Sequence, residues 1–198
     1  EEYIDFFRVS KISSFDDHKR FLAWGHNSLV FPLLWEDFVF YNSQQKVAIK
    51  EAYALYLELL ISKNTSHILL FMADVVESIG ITGVRDHFPN NYIECGIAEQ
   101  NMLNVAAGVS LLDFIPFVSV YSDFCAKRCA DQIRLNDINK TNIKMVCPHA
   151  GLSVWPDGPT HHALDDVSWI LALRNTLLLE PADANMMLHI TNFISKEY

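Results

Sequence analysis

Basic charge is scarce in this chain. Its 15 Lys and Arg stand against 24 Asp and Glu, a formal net charge of −9. No basic face is therefore available, which argues against a nucleic-acid binder or a protein held on an anionic membrane. Long apolar runs are also missing. None approaches the ~18 residues that a membrane span needs, and the most apolar stretch, Ile68 to Met72, has the length of a core strand. No N-terminal segment combines a basic start, an apolar run and a cleavage site, so no signal peptide is read. Cysteine is sparse too. Cys95, Cys125, Cys129 and Cys147 form no CxxC pair, and the spacing of Cys125 and Cys129 is not a usual zinc pattern without partners. The composition leads us to expect reduced, mostly buried thiols in a cytoplasmic protein.

What is present is a core. Hydrophobic residues make up 51% and charged residues 20% of 198 residues, which fits a globular chain with one sizeable domain and room for an appendage. Residues 1–45 hold many aromatics, among them Phe6, Phe21, Trp24, Trp35 and Tyr41, with no clean period. They read as an N-terminal extension of unknown role, and residues 46–198 as the main domain.

From Val47 the pattern clears. Ala48, Ala52, Leu55, Leu59 and Leu60 recur at helical spacing through Ser62. Ile68 to Met72 is apolar throughout, as in a strand buried on both faces. Further strands are expected at Tyr92 to Glu94, Ile115 to Val120, Ile143 to Cys147 and Thr176 to Leu179. Helices are expected at Asn101 to Leu112, Tyr121 to Asn136, His162 to Leu173 and from Ala184. Strands alternating with helices at this spacing predict a three-layer α/β domain with a mainly parallel, doubly wound sheet. Such sheets bind ligands beyond the carboxyl ends of their strands. Asp74, Glu99, Tyr121 and His149 all lie at or just past predicted strand ends.

Glu99 sits among apolar residues where a strand hands over to a helix. Two readings apply: a first-turn carboxylate favoured by the helix dipole, or a carboxyl group taken out of water and suited to hold or share a proton. The company it keeps decides between them. The motifs run in order: Phe88-Pro89, Gly96-Ile97-Ala98-Glu99-Gln100-Asn101-Met102, Ile115 to Phe124, Asp131-Gln132-Ile133-Arg134, His149-Ala150-Gly151, Asp157-Gly158-Pro159-Thr160-His161, and Pro181-Ala182-Asp183. This series resembles the pyrimidine-binding domain of the transketolase family of thiamine-diphosphate enzymes, over roughly Val47 to Asn185.

The resemblance implies roles. Glu99 matches the glutamate that hydrogen-bonds N1′ of the cofactor's aminopyrimidine, which favours the imino tautomer that deprotonates the thiazolium. Tyr121 and Phe124 match the aromatics around the pyrimidine, and Asp74 a carboxylate near the cofactor across a subunit interface. His149, Asp157 and His161 match sugar-contacting groups, the histidines able to bond hydroxyls and move protons. Lys50 and Ser78 match positions that bind a substrate phosphate, with Lys50 in place of an arginine and so without its bidentate fork. His162 stands where many members have glutamine, and Lys127 where they have tyrosine or arginine. Neither is given a role. A metal site from His149, Asp157, His161 and His162 is conceivable from residue type alone, but none is assigned.

The family also needs a second domain whose Gly-Asp-Gly segment binds Mg²⁺ and the diphosphate, and no Gly-Asp-Gly occurs here. The expectation is therefore the C-terminal subunit of a split transketolase. Such a chain would act as a transferase moving a two-carbon ketol unit between sugars, often phosphorylated. It would work within an oligomer, and only with a partner that carries the diphosphate and Mg²⁺ domain. A 1-deoxyxylulose-5-phosphate-synthase-like enzyme is an alternative, although such enzymes typically carry histidine where Asn101 stands. A non-catalytic scaffolding or regulatory remnant is the other.

Overall fold

The run Ile68-Leu69-Leu70-Phe71-Met72 has no polar face, so it is stable only with apolar layers on both sides. The structure, a computed structural model, describes residues 47–63, 67–152 and 154–196. The expected extension at residues 1–45 lies outside them. The chain enters through α1 (Ile49–Lys63), whose Ala52, Tyr53, Tyr56, Leu57 and Ile61 form one buried stripe. Glu51 in its first turn and Lys63 in its last match the helix dipole. The run above is β1 (Ile68–Met72). Two short helices follow, α2 (Val76–Ile79) and α3 (Thr82–His87). Next come β2 (Tyr92–Glu94), α4 (Glu99–Ser110) and β3 (Ile115–Ser119). A π turn (Phe124–Arg128) leads into α5 (Ala130–Asn139), then β4 (Lys144–Val146), α6 (Asp166–Ile170) and α7 (Ala184–Lys196).

The four strands among the described residues are all parallel, in the order β2-β1-β3-β4, with Leu70 opposite Tyr92, Ile68 opposite Ile115 and Phe117 opposite Lys144. Alternation along the strands builds the two faces. Phe71, Val118 and Val120 pack with Met102, Leu103 and Ala106 of α4 and with Cys125, Cys129 and Ile133 of the α5 side. On the other face the Tyr53 ring of α1 lies 6.4 Å from Phe117, and its hydroxyl shares a buried 2.9 Å hydrogen bond with Ser119. Helix α7 packs along α1 there. The result is a three-layer α/β fold with a doubly wound sheet, and its chain order reverses between β1 and β3. Among the described residues no helix is long and apolar enough to cross a membrane.

Four expectations are corrected. Thr176 to Leu179 is not a strand. Asp137 of α5 takes the amides of Arg174 and Asn175 at 3.3 and 2.8 Å and the Thr176 hydroxyl at 2.8 Å, so the approach to this run is bound by a side chain rather than by a neighbouring strand. The helix expected from His162 is confined to Asp166–Ile170, because Ala163 instead bridges Gly151. The long helix from Tyr121 is broken by the π turn before α5 begins. Helix α4 also starts at Glu99, two residues earlier than its apolar period suggests.

Candidate functional site

The carboxyl ends of the parallel strands feed four loops, and two of them pass through left-handed backbone at non-glycine residues: Asp74 (φ 58°) after β1 and His149 (φ 63°) after β4. Such conformations persist only where surrounding contacts hold them. Glu94 supplies part of that hold. Its Oε1 accepts the amides of Asp74 at 2.9 Å and Gly96 at 2.8 Å, and its Oε2 accepts the Tyr92 hydroxyl at 2.6 Å. Burial pushes the Glu94 carboxyl upward, but these donors together with the Cys95 amide outweigh it and leave the group below its usual range. Gly96, at φ 67°, lets the chain turn from β2 toward α4 where a Cβ would be strained. Asp74 is exposed on the Glu94 side of this edge.

Glu99 opens α4 and is 6% exposed. Its Oε1 accepts a 2.5 Å hydrogen bond from Nη1 of Arg128, at the end of the π turn. Sequence reasoning noted only the apolar residues around Glu99, and the structure adds this guanidinium as its ion-pair partner. The same guanidinium lies over the Phe124 ring, with Cζ 3.8 Å from the centroid, and the Arg128 carbonyl accepts from Gln100 Nε2 at 2.8 Å. Arg128 is the residue that sequence reasoning missed. The available signal was its four-residue spacing from Phe124, which brings a cation and an aromatic side by side on a helical turn. An open cleft of about 540 Å³ adjoins this group, between the start of α4 and the side chains of Lys127 and Arg128. Lys127 is committed elsewhere, to Asp123 at 2.7 Å and Asp165 at 3.4 Å.

Tyr121 and Phe124 do meet as expected, with nearly parallel rings 5.5 Å apart. Both expected histidines join them: His149 lies 4.4 Å from Tyr121, and His161 lies 4.9 Å from Phe124 and 6.1 Å from Tyr121. Nε2 of His149 is buried with no hydrogen-bond partner. Burial first, and the Lys50 charge second, lower the pKa of His149, while a hydrogen bond with the Ser78 backbone and the Asp157 charge act in the opposite sense. Lys50, Ser78 and Asp157 are therefore neighbours of His149, as the sequence grouping expects. Ser78 takes part through its carbonyl, which accepts Lys50 Nζ at 2.8 Å, while its hydroxyl bonds Val75. His162 Nε2 is likewise buried without a partner. Among the described residues no three His, Cys, Asp or Glu are placed to hold a metal ion.

The site thus consists of a buried carboxylate, an aromatic pair and two histidines on one sheet edge. Against known proteins, residues 45–195 match the family described as transketolase, pyrimidine binding domain. Transketolase-like protein 2 of Mus musculus is 37% identical over 145 residues, covering 73% of this chain and 23% of that protein. The 1-deoxy-D-xylulose-5-phosphate synthase of Syntrophus aciditrophicus is 33% identical over 132 residues, covering 66% of this chain and 20% of that protein. Among solved structures, a split-gene transketolase described as an inactive β4 tetramer superposes with a TM-score of 0.67 at 31% identity, over 77% of this chain and 49% of that one. The chain spans about a quarter of the length of these curated relatives.

Proposed function

Because the chain belongs to the transketolase pyrimidine-binding family, we propose that it is the pyrimidine-domain subunit of a thiamine-diphosphate-dependent transketolase. It transfers a two-carbon ketol unit between a ketose and an aldose when a partner supplies the diphosphate and Mg²⁺ domain. In this reading residues 46–198 form the working domain, residues 1–45 an extension, and the chain acts in a cytoplasmic oligomer. The free thiols of Cys95, Cys125, Cys129 and Cys147 are compatible with that reducing compartment.

The observation that carries the reading is the grip on Arg128. A flat nitrogenous group is stacked on Phe124 and donates to Glu99, and an aminopyrimidine protonated at N1′, also flat and a donor there, would suit the same carboxylate acceptor and ring face. The residues therefore fit the cofactor's ring. Bound thiamine diphosphate supplies the nucleophilic carbon for the sugar carbonyl. This chain supplies the rest. Glu99 holds the proton at the pyrimidine's N1′. Tyr121 and Phe124 would hold the ring by stacking, and Asp74 would be the carboxylate near it at a subunit interface. His149 offers its uncommitted Nε2 to a sugar hydroxyl, helped by burial and Lys50, which favour its neutral form. His161 and Asp157 bind neighbouring hydroxyls, His161 also moving a proton, and Lys50 and Ser78 mark the phosphate end.

Reconstitution tests this. The chain is mixed with a diphosphate-domain subunit, Mg²⁺ and cofactor, and ketol transfer is measured alongside 1-deoxyxylulose 5-phosphate formation. Ketol transfer that is lost in Glu99→Gln with an unchanged circular dichroism spectrum is the expected outcome. Full activity of that variant would overturn the role of Glu99. Synthase activity alone would favour the second reading, which the Syntrophus relative supports. The scaffolding reading predicts complex formation without turnover.

A further inference from the structure

We propose that Arg128 is a resident occupant of the aminopyrimidine subsite, and that a cofactor's ring enters by displacing its guanidinium. The inference rests on the assignment of Glu99 and Phe124 to that ring, and it concerns what must leave first. The arrangement is built from three contacts rather than one. The guanidinium donates to Glu99 at 2.5 Å, it covers the Phe124 ring at 3.8 Å, and the Arg128 carbonyl is tied to Gln100, the residue after Glu99, at 2.8 Å. Phe124 and Arg128 are the first and last residues of the π turn, a local widening of the helix often found at functional sites.

A ring bound in this way and the guanidinium exclude each other. The guanidinium covers the face of Phe124 and holds Oε1 of Glu99, the ring face and carboxyl group that the ring would use. An arginine is charged at every working pH, so deprotonation does not neutralise the competitor. It can be removed by movement: the Arg128 side chain is 46% exposed while that of Glu99 is only 7% exposed, and the open cleft beside them can receive the displaced group. The carboxylate is thus a fixed part and the guanidinium a mobile one. The apparent affinity for a ring is the intrinsic affinity multiplied by the fraction of time that Arg128 is away, which makes Arg128 an affinity-setting residue rather than a catalytic one.

The test uses the full chain and thiamine, which carries the aminopyrimidine but needs no diphosphate site, read by isothermal titration calorimetry. Arg128→Ala is expected to bind thiamine about tenfold more tightly than the native chain, and adding Glu99→Gln is expected to abolish the gain. Should Arg128→Ala fold poorly by circular dichroism, Arg128→Gln, which keeps a donor but loses the flat cation, is expected to give an intermediate gain. Equal or weaker binding by the Arg128 variants, with Glu99→Gln still weakening the native chain, overturns the competition and leaves the site assignment standing. Indifference to Glu99→Gln in both backgrounds overturns the assignment and the competition together. Absence of binding in every folded variant also overturns the proposal, since a cleared subsite must bind more tightly than a filled one.

Discussion

Removing Arg128 exposes how strongly the Glu99 contact is coupled to the fold. Two unit charges about 4 Å apart attract by ~4 kcal/mol at an effective dielectric of about 20. With the Arg128 side chain 46% exposed, water screens much of that. Exposed pairs are worth ~0.2–1 kcal/mol, and stranding one member of a buried pair costs ~3–5 kcal/mol. One buried and one half-exposed partner place the coupling between these limits, at ~1–2 kcal/mol. Arg128→Ala also loses its stacking on Phe124, worth ~0.5–1 kcal/mol. With a urea dependence of ~2 kcal/mol per molar, its midpoint is expected to fall by ~1 M. Glu99→Gln needs no counter-charge, so the double variant is expected to be less destabilised than the sum of the single ones. Urea unfolding followed by circular dichroism on the four chains measures this. Single-variant losses that add within ~0.3–0.5 kcal/mol refute an energetic link between the two groups.

Two titrations give further tests. Burial lowers the pKa of Lys144 to about 8, against ~10.4 in an unfolded chain. The unfolded chain then binds more protons between these values, so stability rises with pH across that window and the cost is fully present below it. Lys144→Met is expected to stabilise the protein at pH 7 by ~1–3 kcal/mol and to flatten the rise, and parallel pH profiles of the two chains would refute the assignment. The pKa of His149 is depressed by burial and then by Lys50, so its contribution to stability is present above the unfolded value of ~6.5 and is lost as pH falls below it through the depressed folded value. Lys50→Met is expected to move the His149 titration upward by NMR and to lessen that acid loss; an unmoved titration would remove Lys50 from its neighbourhood.

The sheet was legible where burial dictates residue type. Ile68 to Met72 must be apolar because helices cover both faces, and that run needs no tertiary knowledge to recognise. Leu177-Leu178-Leu179 looks similar as text, but Asp137, some forty residues away, takes the hydrogen-bonding groups that precede it. No periodicity reports a bond of that range. The π turn was invisible for a different reason: Cys125, Cys129 and Ile133 remain four apart and buried whether the turn is regular or widened. At the site, the order of the motifs was enough to single out Tyr121, Phe124, His149 and His161, which the structure gathers. Arg128 escaped because its partner Glu99 is 29 residues away. Ser78 was chosen for a hydroxyl, and it is its carbonyl that meets Lys50.

Glu94 has a consequence for how this edge can move. One oxygen receives both the Asp74 and the Gly96 amide. The loop after the central strand and the loop that launches the Glu99 helix are therefore a single mechanical part with a shared pivot. A displacement imposed on one, by a docking subunit or by a substitution, is delivered to the other through 2.8–2.9 Å bonds that cannot stretch far. The two walls of the site are tied through one carboxylate rather than through a helix between them, so remodelling either alone means giving up one of its bonds.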